Sequence, residues 1–169
     1  TLFFVANDGQ TGNEIWTSDG TAAGTRSVKD IRVIDDNIGP RKLTSFQGKL
    51  YFTDDDGADG IELWRSDGTN AGTVMVRDIR PGSYSSYPRS LTVVNNKLFF
   101  WADSSYQGDQ IWMSDGTAGG TVLVKDMNPL FSHGSYQGGG YVPPPLTNVN
   151  GTLLFVGDDG QGGNGQLWK

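Results

Sequence analysis

Acidic side chains cluster in a short Asp/Gly run in the second quarter of the chain. Asp54, Asp56 and Asp59 lie at nearly alternating positions in the run from Asp54 to Gly60. Calcium takes about six to eight oxygen ligands, and calcium loops commonly supply carboxylates at alternating positions. We therefore regard these three carboxylates as candidate calcium ligands. A full calcium loop that ends in a bidentate Glu is absent, so a solvated hairpin loop is the alternative.

A second group of candidates lies in a connection rich in Gly and Pro. Its side chains combine flat apolar faces with hydrogen-bonding edges: Phe131, His133, Tyr136, Gln137 and Tyr141. Such surfaces suit sugars and protein partners. Two similar connections, Asp30 to Leu43 and Asp78 to Leu91, span 13 residues, whereas Asp126 to Leu146 spans 20. The longer connection is therefore a candidate ligand-binding loop, and a flexible surface loop is the alternative.

Catalytic chemistry has little support in the residue types. His133 is the only histidine, and no Ser or Cys lies in a recognisable nucleophile motif. A glycosidase needs two carboxylates at a set separation, and no Asp stands apart from the others. We therefore predict no catalytic residues and a protein that is not an enzyme.

The candidate loops belong to a unit that the chain repeats. One copy begins at Glu62 with the sequence Glu-Leu-Trp-Arg-Ser-Asp-Gly-Thr, and related copies begin at Glu14, Gln110 and Gln166. The tryptophans of the four copies are Trp16, Trp64, Trp112 and Trp168, separated by 48, 48 and 56 residues. A repeat of this length is typical of propellers and related arrays.

Each unit contains four short runs that are typical of β-strands, which we name A, B, C and D. In the second unit they are residues 43–46, 49–53, 61–65 and 73–79, with an Asp/Gly loop over 54–60. Two dipeptides, Gln47-Gly48 and Asn150-Gly151, separate A from B in the second and fourth units and predict tight hairpins. No helical period is sustained.

These features predict an all-β fold, namely a β-propeller-type array of four-stranded antiparallel blades of about 48 residues. The chain opens on a B run and ends on a C run, which predicts three A, four B, four C and three D strands. We predict a single repeat domain over 1–169. Its parts are a partial blade 1–42, a blade 43–90, a blade 91–145 and a partial blade 146–169.

Three recurrent elements of the unit have structural interpretations. Ser-Asp-Gly-Thr suits a turn in which Asp accepts local amides and Gly takes positive φ, with a repeated ligand site as the alternative. The Trp of each C strand is expected to pack between blades. The pairs Lys29-Asp30, Arg77-Asp78 and Lys125-Asp126 are expected to cap or join neighbouring blades.

Composition excludes several classes of function. The net charge of −6 without a basic cluster disfavours nucleic acid as a partner. The absence of Cys excludes disulfides and thiolate metal sites. No apolar run approaches the ~18 residues of a membrane span, so we expect no membrane insertion. The chain starts at Thr1 and not at Met, which predicts a processed or excised piece.

The repeated motif also resembles a known family. The run from Glu62 to Thr69, with Gly72-Thr73 and the segment from Val76 to Gly82, resembles the bacterial ELWxSDGTxxGTxxVKDIxPG repeat. The resemblance covers nearly the whole chain. It implies propeller-like arrays in large secreted or surface-exposed proteins, anchored or adhesive, and it implies no catalytic residues. The chain departs from the pattern at Arg32-Val33-Ile34, where Pro-Gly is expected.

Together these features lead to a hypothesis and two alternatives. The hypothesis is a non-enzymatic extracellular or cell-surface binding module, which displays loops to a glycan or a surface protein and has calcium as its candidate cofactor. The first alternative is a structural unit that forms homo-oligomers, rings or filaments through open blade edges. The second is an accessory propeller of a larger hydrolase.

Overall fold

The structure, a computed structural model, describes residues 1–32, 39–105, 108–125, 127, 144–157 and 165–169. These residues form fourteen β-strands and no helix, which confirms the all-β prediction and the number of strands. Within the same ranges there is therefore no helix of the length and apolarity that crossing a membrane requires.

The strands form four antiparallel sheets, which we number along the chain. Sheet 1 contains β1 (Leu2–Asn7), β2 (Asn13–Ser18) and β3 (Arg26–Lys29). Sheet 2 contains β4 (Arg41–Phe46), β5 (Lys49–Asp55), β6 (Ile61–Ser66) and β7 (Val74–Arg77). Sheet 3 contains β8 (Arg89–Val94), β9 (Lys97–Ala102), β10 (Gln110–Ser114) and β11 (Val122–Lys125). Sheet 4 contains β12 (Thr147–Val149), β13 (Thr152–Gly157) and β14 (Gln166–Trp168).

Every sheet follows the order of its strands in the chain. Sheets 2 and 3 have the complete A-B-C-D order, sheet 1 has B, C and D, and sheet 4 has A, B and C. Several predicted strand bounds differ from the structure; for example, β4 begins at Arg41 and not at residue 43. Strand β5 continues through Asp55 because its pairing with β6 extends to the pairs Asp54–Glu62 and Asp55–Ile61, so the loop does not begin at Asp54. Strand β7 is also shorter than the predicted run over 73–79.

The turns between A and B strands have the predicted geometry. Gln47 and Gly48 have φ angles of 51° and 70°, and Asn150 and Gly151 have 50° and 82°. Two successive positive φ angles define a type I′ turn, whose twist matches that of the flanking strands. Gly has no Cβ and adopts this conformation readily, and Asn tolerates it better than most residues, which explains Gly at the second position of both turns and Asn150 at the first position of one.

The described chain divides into two compact units, Thr1–Ser85 and Ser86–Lys169. Sheets 1 and 2 pack together in the first unit. Their core consists of Ile15 and Val28 from sheet 1 and Leu50, Phe52 and Trp64 from sheet 2. Burial of each such side chain contributes about 1.5–3 kcal/mol before entropic costs. Trp64 thus packs between two sheets, as the sequence predicts.

The second unit has the same kind of core between sheets 3 and 4. It contains Trp101, Ile111, Met127, Leu146 and Phe155, with Phe99, Leu153 and Trp168 packed against them. By position in the repeat, Ile111 corresponds to Ile15, and Trp168 corresponds to Trp64. The same pattern of sequence therefore produces the same packing of sheets twice.

The antiparallel order places the connections of each sheet at two opposite ends. B strands and D strands end at one side, which carries the B–C loops and the D–A connections; we call it the loop end. The A–B hairpins and the Ser-Asp-Gly-Thr turns between C and D lie at the other side, which we call the turn end. The B–C loops and D–A connections, which differ in length between repeats, are thereby separated from the recurrent Ser-Asp-Gly-Thr turns.

Candidate functional site

The Ser-Asp-Gly-Thr turns are held by their own side chains. In sheet 2, the Oγ of Ser66 lies 2.7 Å from the Oγ1 of Thr73, and both residues are fully buried. The Oδ1 of Asp67 accepts hydrogen bonds from the amide of Thr69 at 2.9 Å and from its hydroxyl at 2.7 Å. These bonds lower the pKa of Asp67.

Glycine is required at two positions of this turn. Gly68 has a φ of 92°, which side chains rarely adopt. At Gly72 a Cβ atom would overlap the carboxylate of Asp67. The amide of Gly72 donates to the Oγ1 of Thr69 at 2.9 Å, so the backbone must approach closely at this point.

The same bonds recur in the corresponding turns of sheets 1 and 3. The hydroxyls of Ser18 and Thr25 and those of Ser114 and Thr121 also lie 2.7 Å apart. The turn interpretation is therefore confirmed, and the polar side chains of the motif are engaged in local bonds.

The three candidate calcium ligands have different environments. Asp54 lies in β5 and is only 4% exposed. Asp56 is partly buried, and its Oδ1 accepts the amides of Ala58 and Asp59, both at 2.9 Å. Burial, together with the charges of Asp56 and Asp78, raises the pKa of Asp59. The solvated-loop alternative thus does not describe Asp54.

Buried carboxylates surround Asp54. Glu62 lies directly opposite it in the ladder and is fully buried, and its Oε2 accepts the amide of Ile79 at 3.2 Å. Glu14 in sheet 1 is 4% exposed and accepts the amide of Ile31 through Oε2 at 3.4 Å. Each Glu therefore ties its C strand to the residue that follows the D strand by two positions.

The pKa values of these carboxyls are displaced upward. Burial raises the pKa of Glu14 to about 8, and the charges of Asp30 and Asp54 act in the same direction. Burial also raises the pKa of Asp54 to about 7, while its bond from the amide of Asp55 and the charge of Arg32 oppose the rise. Near neutral pH the protonated form of Glu14 is thus favoured, and Asp54 titrates in this range.

An ion pair adjoins these carboxyls. The Nη1 of Arg32 lies 2.8 Å from the Oδ2 of Asp55, and both side chains are about four-fifths buried. Arg32 follows the D strand of sheet 1, and Asp55 ends the B strand of sheet 2. The pair therefore links the two sheets at the loop end.

In the part of the chain that the structure describes, no group of three or more His, Cys, Asp or Glu side chains is arranged to hold a metal ion. Asp54, Asp56 and Asp59 are accordingly not gathered into such a group. Calcium binding by these residues stays a prediction.

No protein-family model, curated protein or solved structure matches this chain.

An exposed tyrosine is the most accessible aromatic side chain at the loop end of sheet 2. Tyr84 is 53% exposed, and the guanidinium carbon of Arg80 lies 5.1 Å from the centre of its ring. The amide of Ile61 donates to the Oγ of Ser85 at 2.9 Å. A Cβ at Gly60 would approach the carbonyl of Tyr84 to 2.8 Å, so glycine permits this contact.

These contacts join the B–C loop of sheet 2 to the connection that follows its D strand. We call the combined surface, residues 56–60 and 80–85, the loop platform. It offers one aromatic face, one guanidinium and the carboxylates of Asp56 and Asp59. The platform combines stacking with hydrogen bonding.

The predicted ligand-binding residues Phe131, His133, Tyr136, Gln137 and Tyr141 lie outside the described residues. They follow β11, which ends at the loop end of sheet 3. Sequence reasoning missed the buried Glu14 and the exposed Tyr84. The recurrence of Glu before Leu-Trp or Ile-Trp could have indicated a structural role for Glu14.

Proposed function

We propose that the chain is a run of β-propeller-type blades and acts as a non-enzymatic carbohydrate-binding module outside the cell, with the loop platform of sheet 2 as its binding site. The observation that carries this proposal is the loop platform. There, Tyr84 is 53% exposed, the guanidinium carbon of Arg80 lies 5.1 Å from the centre of its ring, and the adjoining B–C loop carries Asp56 and Asp59.

The propeller arrangement has support from packing within each unit. In the second unit the A strands of sheets 3 and 4 are bonded to each other, since the Oγ1 of Thr92 donates to the carbonyl of Leu146 at 3.1 Å. In both units a D-strand lysine of one sheet lies over the C-strand tryptophan of the next. A propeller likewise consists of four-stranded sheets packed next to one another around a central channel.

The carbohydrate ligand has support from the chemistry of the platform. A tyrosine ring stacks on the apolar face of a sugar, while a guanidinium and carboxylates bond to hydroxyl groups. The outside location is what the resemblance to the repeat of secreted and surface proteins implies. The aromatic residues of the connection 128–143 are a separate candidate, predicted from the sequence.

A glycan array with and without calcium tests the proposal. We expect binding to at least one glycan, and weaker binding by about tenfold in Tyr84→Ala, because loss of one stacking contact costs roughly 1.4 kcal/mol. Tyr84→Phe keeps the ring and should retain binding within about threefold. Dependence on calcium would add Asp54, Asp56 and Asp59 to the site.

Absence of binding to any glycan, both with and without calcium, would contradict the carbohydrate proposal. Binding that Tyr84→Ala leaves unchanged would contradict the platform as the site. In that case Tyr136→Ala and Tyr141→Ala test the connection after β11. Leu167→Ala is the matched control, because it removes an apolar side chain that is 72% exposed in another sheet.

A further inference from the structure

The aspartates at the end of β5 and in the B–C loop of sheet 2 differ in the partners that they already have. Asp54 accepts the amide of Asp55 through Oδ1 at 2.9 Å. Asp55 pairs with Arg32 at 2.8 Å. Asp56 accepts two amides of its own loop, both at 2.9 Å. Asp59 forms no hydrogen bond or ion pair with any residue that the structure describes, so both of its carboxylate oxygens are available as acceptors.

Backbone contacts between the two parts of the loop platform hold Asp59 beside Tyr84. Gly60 is buried, and a Cβ there would lie 2.8 Å from the carbonyl of Tyr84 and 2.9 Å from the amide nitrogen of Ser85. The Oγ of Ser85 accepts the amide of Ile61 at 2.9 Å. Asp59 directly precedes Gly60, so their Cα atoms are about 3.8 Å apart. Asp59 and Tyr84 are therefore held close together by one contact of the two segments.

The surroundings of Asp59 are negatively charged. Burial and the charges of Asp56 and Asp78 raise the pKa of Asp59. The guanidinium of the platform, that of Arg80, lies over the ring of Tyr84. A carboxylate of a ligand placed against Asp59 would meet like charges, whereas a hydroxyl group would donate a hydrogen bond to it. This position therefore favours a neutral sugar over an acidic one.

We propose that Asp59 selects the ligand of the loop platform by accepting hydrogen bonds from two adjacent hydroxyl groups of a neutral hexose whose apolar face stacks on Tyr84. Two adjacent hydroxyl groups can each donate to one oxygen of a carboxylate. Uronic acids, which carry a carboxylate of their own, are excluded by repulsion. This inference rests on the proposed carbohydrate binding, and it adds the class of sugar and the residue that recognises it.

NMR titrations of the whole chain with methyl hexosides, in the presence of a chelator, test the inference. The probes are the methyl glycosides of glucose, galactose and mannose, because together they present equatorial and axial–equatorial pairs of hydroxyl groups. The methyl glycosides of the corresponding uronic acids are the matched anionic probes. We expect saturable binding of at least one neutral hexoside, and binding of its uronic acid that is weaker by about tenfold, because like charges are brought together.

Asp59→Asn keeps the shape of the side chain and removes its charge. The variant should bind the neutral hexoside about tenfold more weakly, because a neutral hydrogen bond replaces a charge-assisted one. Its affinities for the hexoside and the uronic acid should lie within about threefold of each other, because repulsion is reduced. Asp67→Asn is the matched control, since Asp67 is exposed at the turn end of the same sheet. It should leave both affinities unchanged.

Ser85→Ala tests the contact that holds the two parts of the platform together. We expect it to weaken binding of the neutral hexoside by about threefold, because the amide of Ile61 loses its partner. Ser85→Thr keeps the hydroxyl group and should retain the affinity of the parent chain. A loss in Ser85→Thr equal to that in Ser85→Ala would contradict this positioning role.

Equal affinity for the hexoside in the parent chain and in Asp59→Asn would overturn the inference, while carbohydrate binding itself would stand. A preference for the uronic acid would also overturn it and would assign selection to Arg80. Binding that the chelator abolishes would assign Asp59 to a metal ion and overturn direct bonding to the sugar. Absence of binding to all three hexosides would overturn the inference as well, and the glycan array then decides separately whether the proposed carbohydrate binding fails.

Discussion

The ammonium group of Lys29 lies 5.9 Å from the centre of the Trp64 ring, and it donates a hydrogen bond to the carbonyl of Thr73 at 2.9 Å. Lys29 ends the D strand of sheet 1, whereas Trp64 and Thr73 belong to sheet 2. In the second unit Lys125 lies 4.1 Å from the centre of the Trp168 ring. A recurrent lysine thus joins neighbouring sheets, as the sequence led us to expect.

We predict that Lys29→Met lowers the free energy of unfolding by about 1–2 kcal/mol, since it removes a cation–π contact and a charged hydrogen bond. Urea unfolding followed by tryptophan fluorescence measures the change. Lys42→Met is the control, because Lys42 is exposed and the change keeps a long side chain. Equal stability of the two variants would show that the contact does not join the sheets.

The Ser–Thr hydroxyl pairs of the turns allow the same hydrogen bond to be compared at two degrees of burial. Ser66 and Thr73 are fully buried, whereas Ser18 and Thr25 form the same 2.7 Å contact while partly exposed. Ser66→Ala should cost about 1–3 kcal/mol, because it leaves a buried hydroxyl and the amide of Gly68 without this partner. Ser18→Ala should cost less, about 0.5–1.5 kcal/mol, because water replaces the lost bond.

Thermal unfolding of both Ser variants, with Ser114→Ala as a second buried case, measures these effects. A cost for Ser18→Ala that equals or exceeds that for Ser66→Ala would contradict the role of burial.

The sequence predicts the order of strands well, because the repeat fixes it locally. The turn residues of each hairpin determine its local geometry, and the C-strand tryptophan, such as Trp64, recurs at the same position of each repeat. The burial of Asp54 was missed because it depends on pairing with Glu62 and on the approach of Glu14 from another sheet. The approach of Glu14 to Asp54 has no signature in the local pattern, because charged residues next to a Gly-rich loop suggest solvent.

The glycines of the third turn provide a sharper test of local geometry. A Cβ at Gly120 would overlap the carboxylate of Asp115, whereas a Cβ at Gly119 would have no heavy atom within 4 Å. Gly120→Ala should therefore destabilise the chain by about 1–3 kcal/mol through overpacking. Gly119→Ala should be neutral or stabilise it by about 0.4–1 kcal/mol, because it restricts the unfolded chain.

Differential scanning calorimetry separates these two variants. Ala already occupies the position of Gly119 in the first two turns, as Ala23 and Ala71. A loss of stability in Gly119→Ala as large as that in Gly120→Ala would contradict the proposed overlap with Asp115.

The buried carboxyls make stability depend on pH. Burial raises the pKa of Glu14 from its ordinary value of 4.5 to about 8, and that of Asp54 from 3.8 to about 7, in the folded chain. The folded state then binds more protons, so the stabilising contribution is complete below the unfolded pKa values and is lost as pH rises through the folded ones. We expect a higher urea midpoint at pH 5.5 than at pH 9.

Glu14→Gln provides the test of this assignment. Gln110 already holds the equivalent position in sheet 3, so the amide fits the same strand context. The variant should lose less stability than the parent chain between pH 5.5 and pH 9, because one titrating group is gone. An identical pH dependence in parent and variant would show that Glu14 is not responsible.

Binding at the loop end is tested most directly by hydrogen exchange of the whole chain with and without the strongest glycan ligand. We predict slower exchange on the loop platform, residues 56–60 and 80–85, with unchanged exchange in the turns that contain Asp67 and Asp115. Protection of those turns, with an unaffected platform, would contradict the proposal and would make the repeated Ser-Asp-Gly-Thr motif the ligand site.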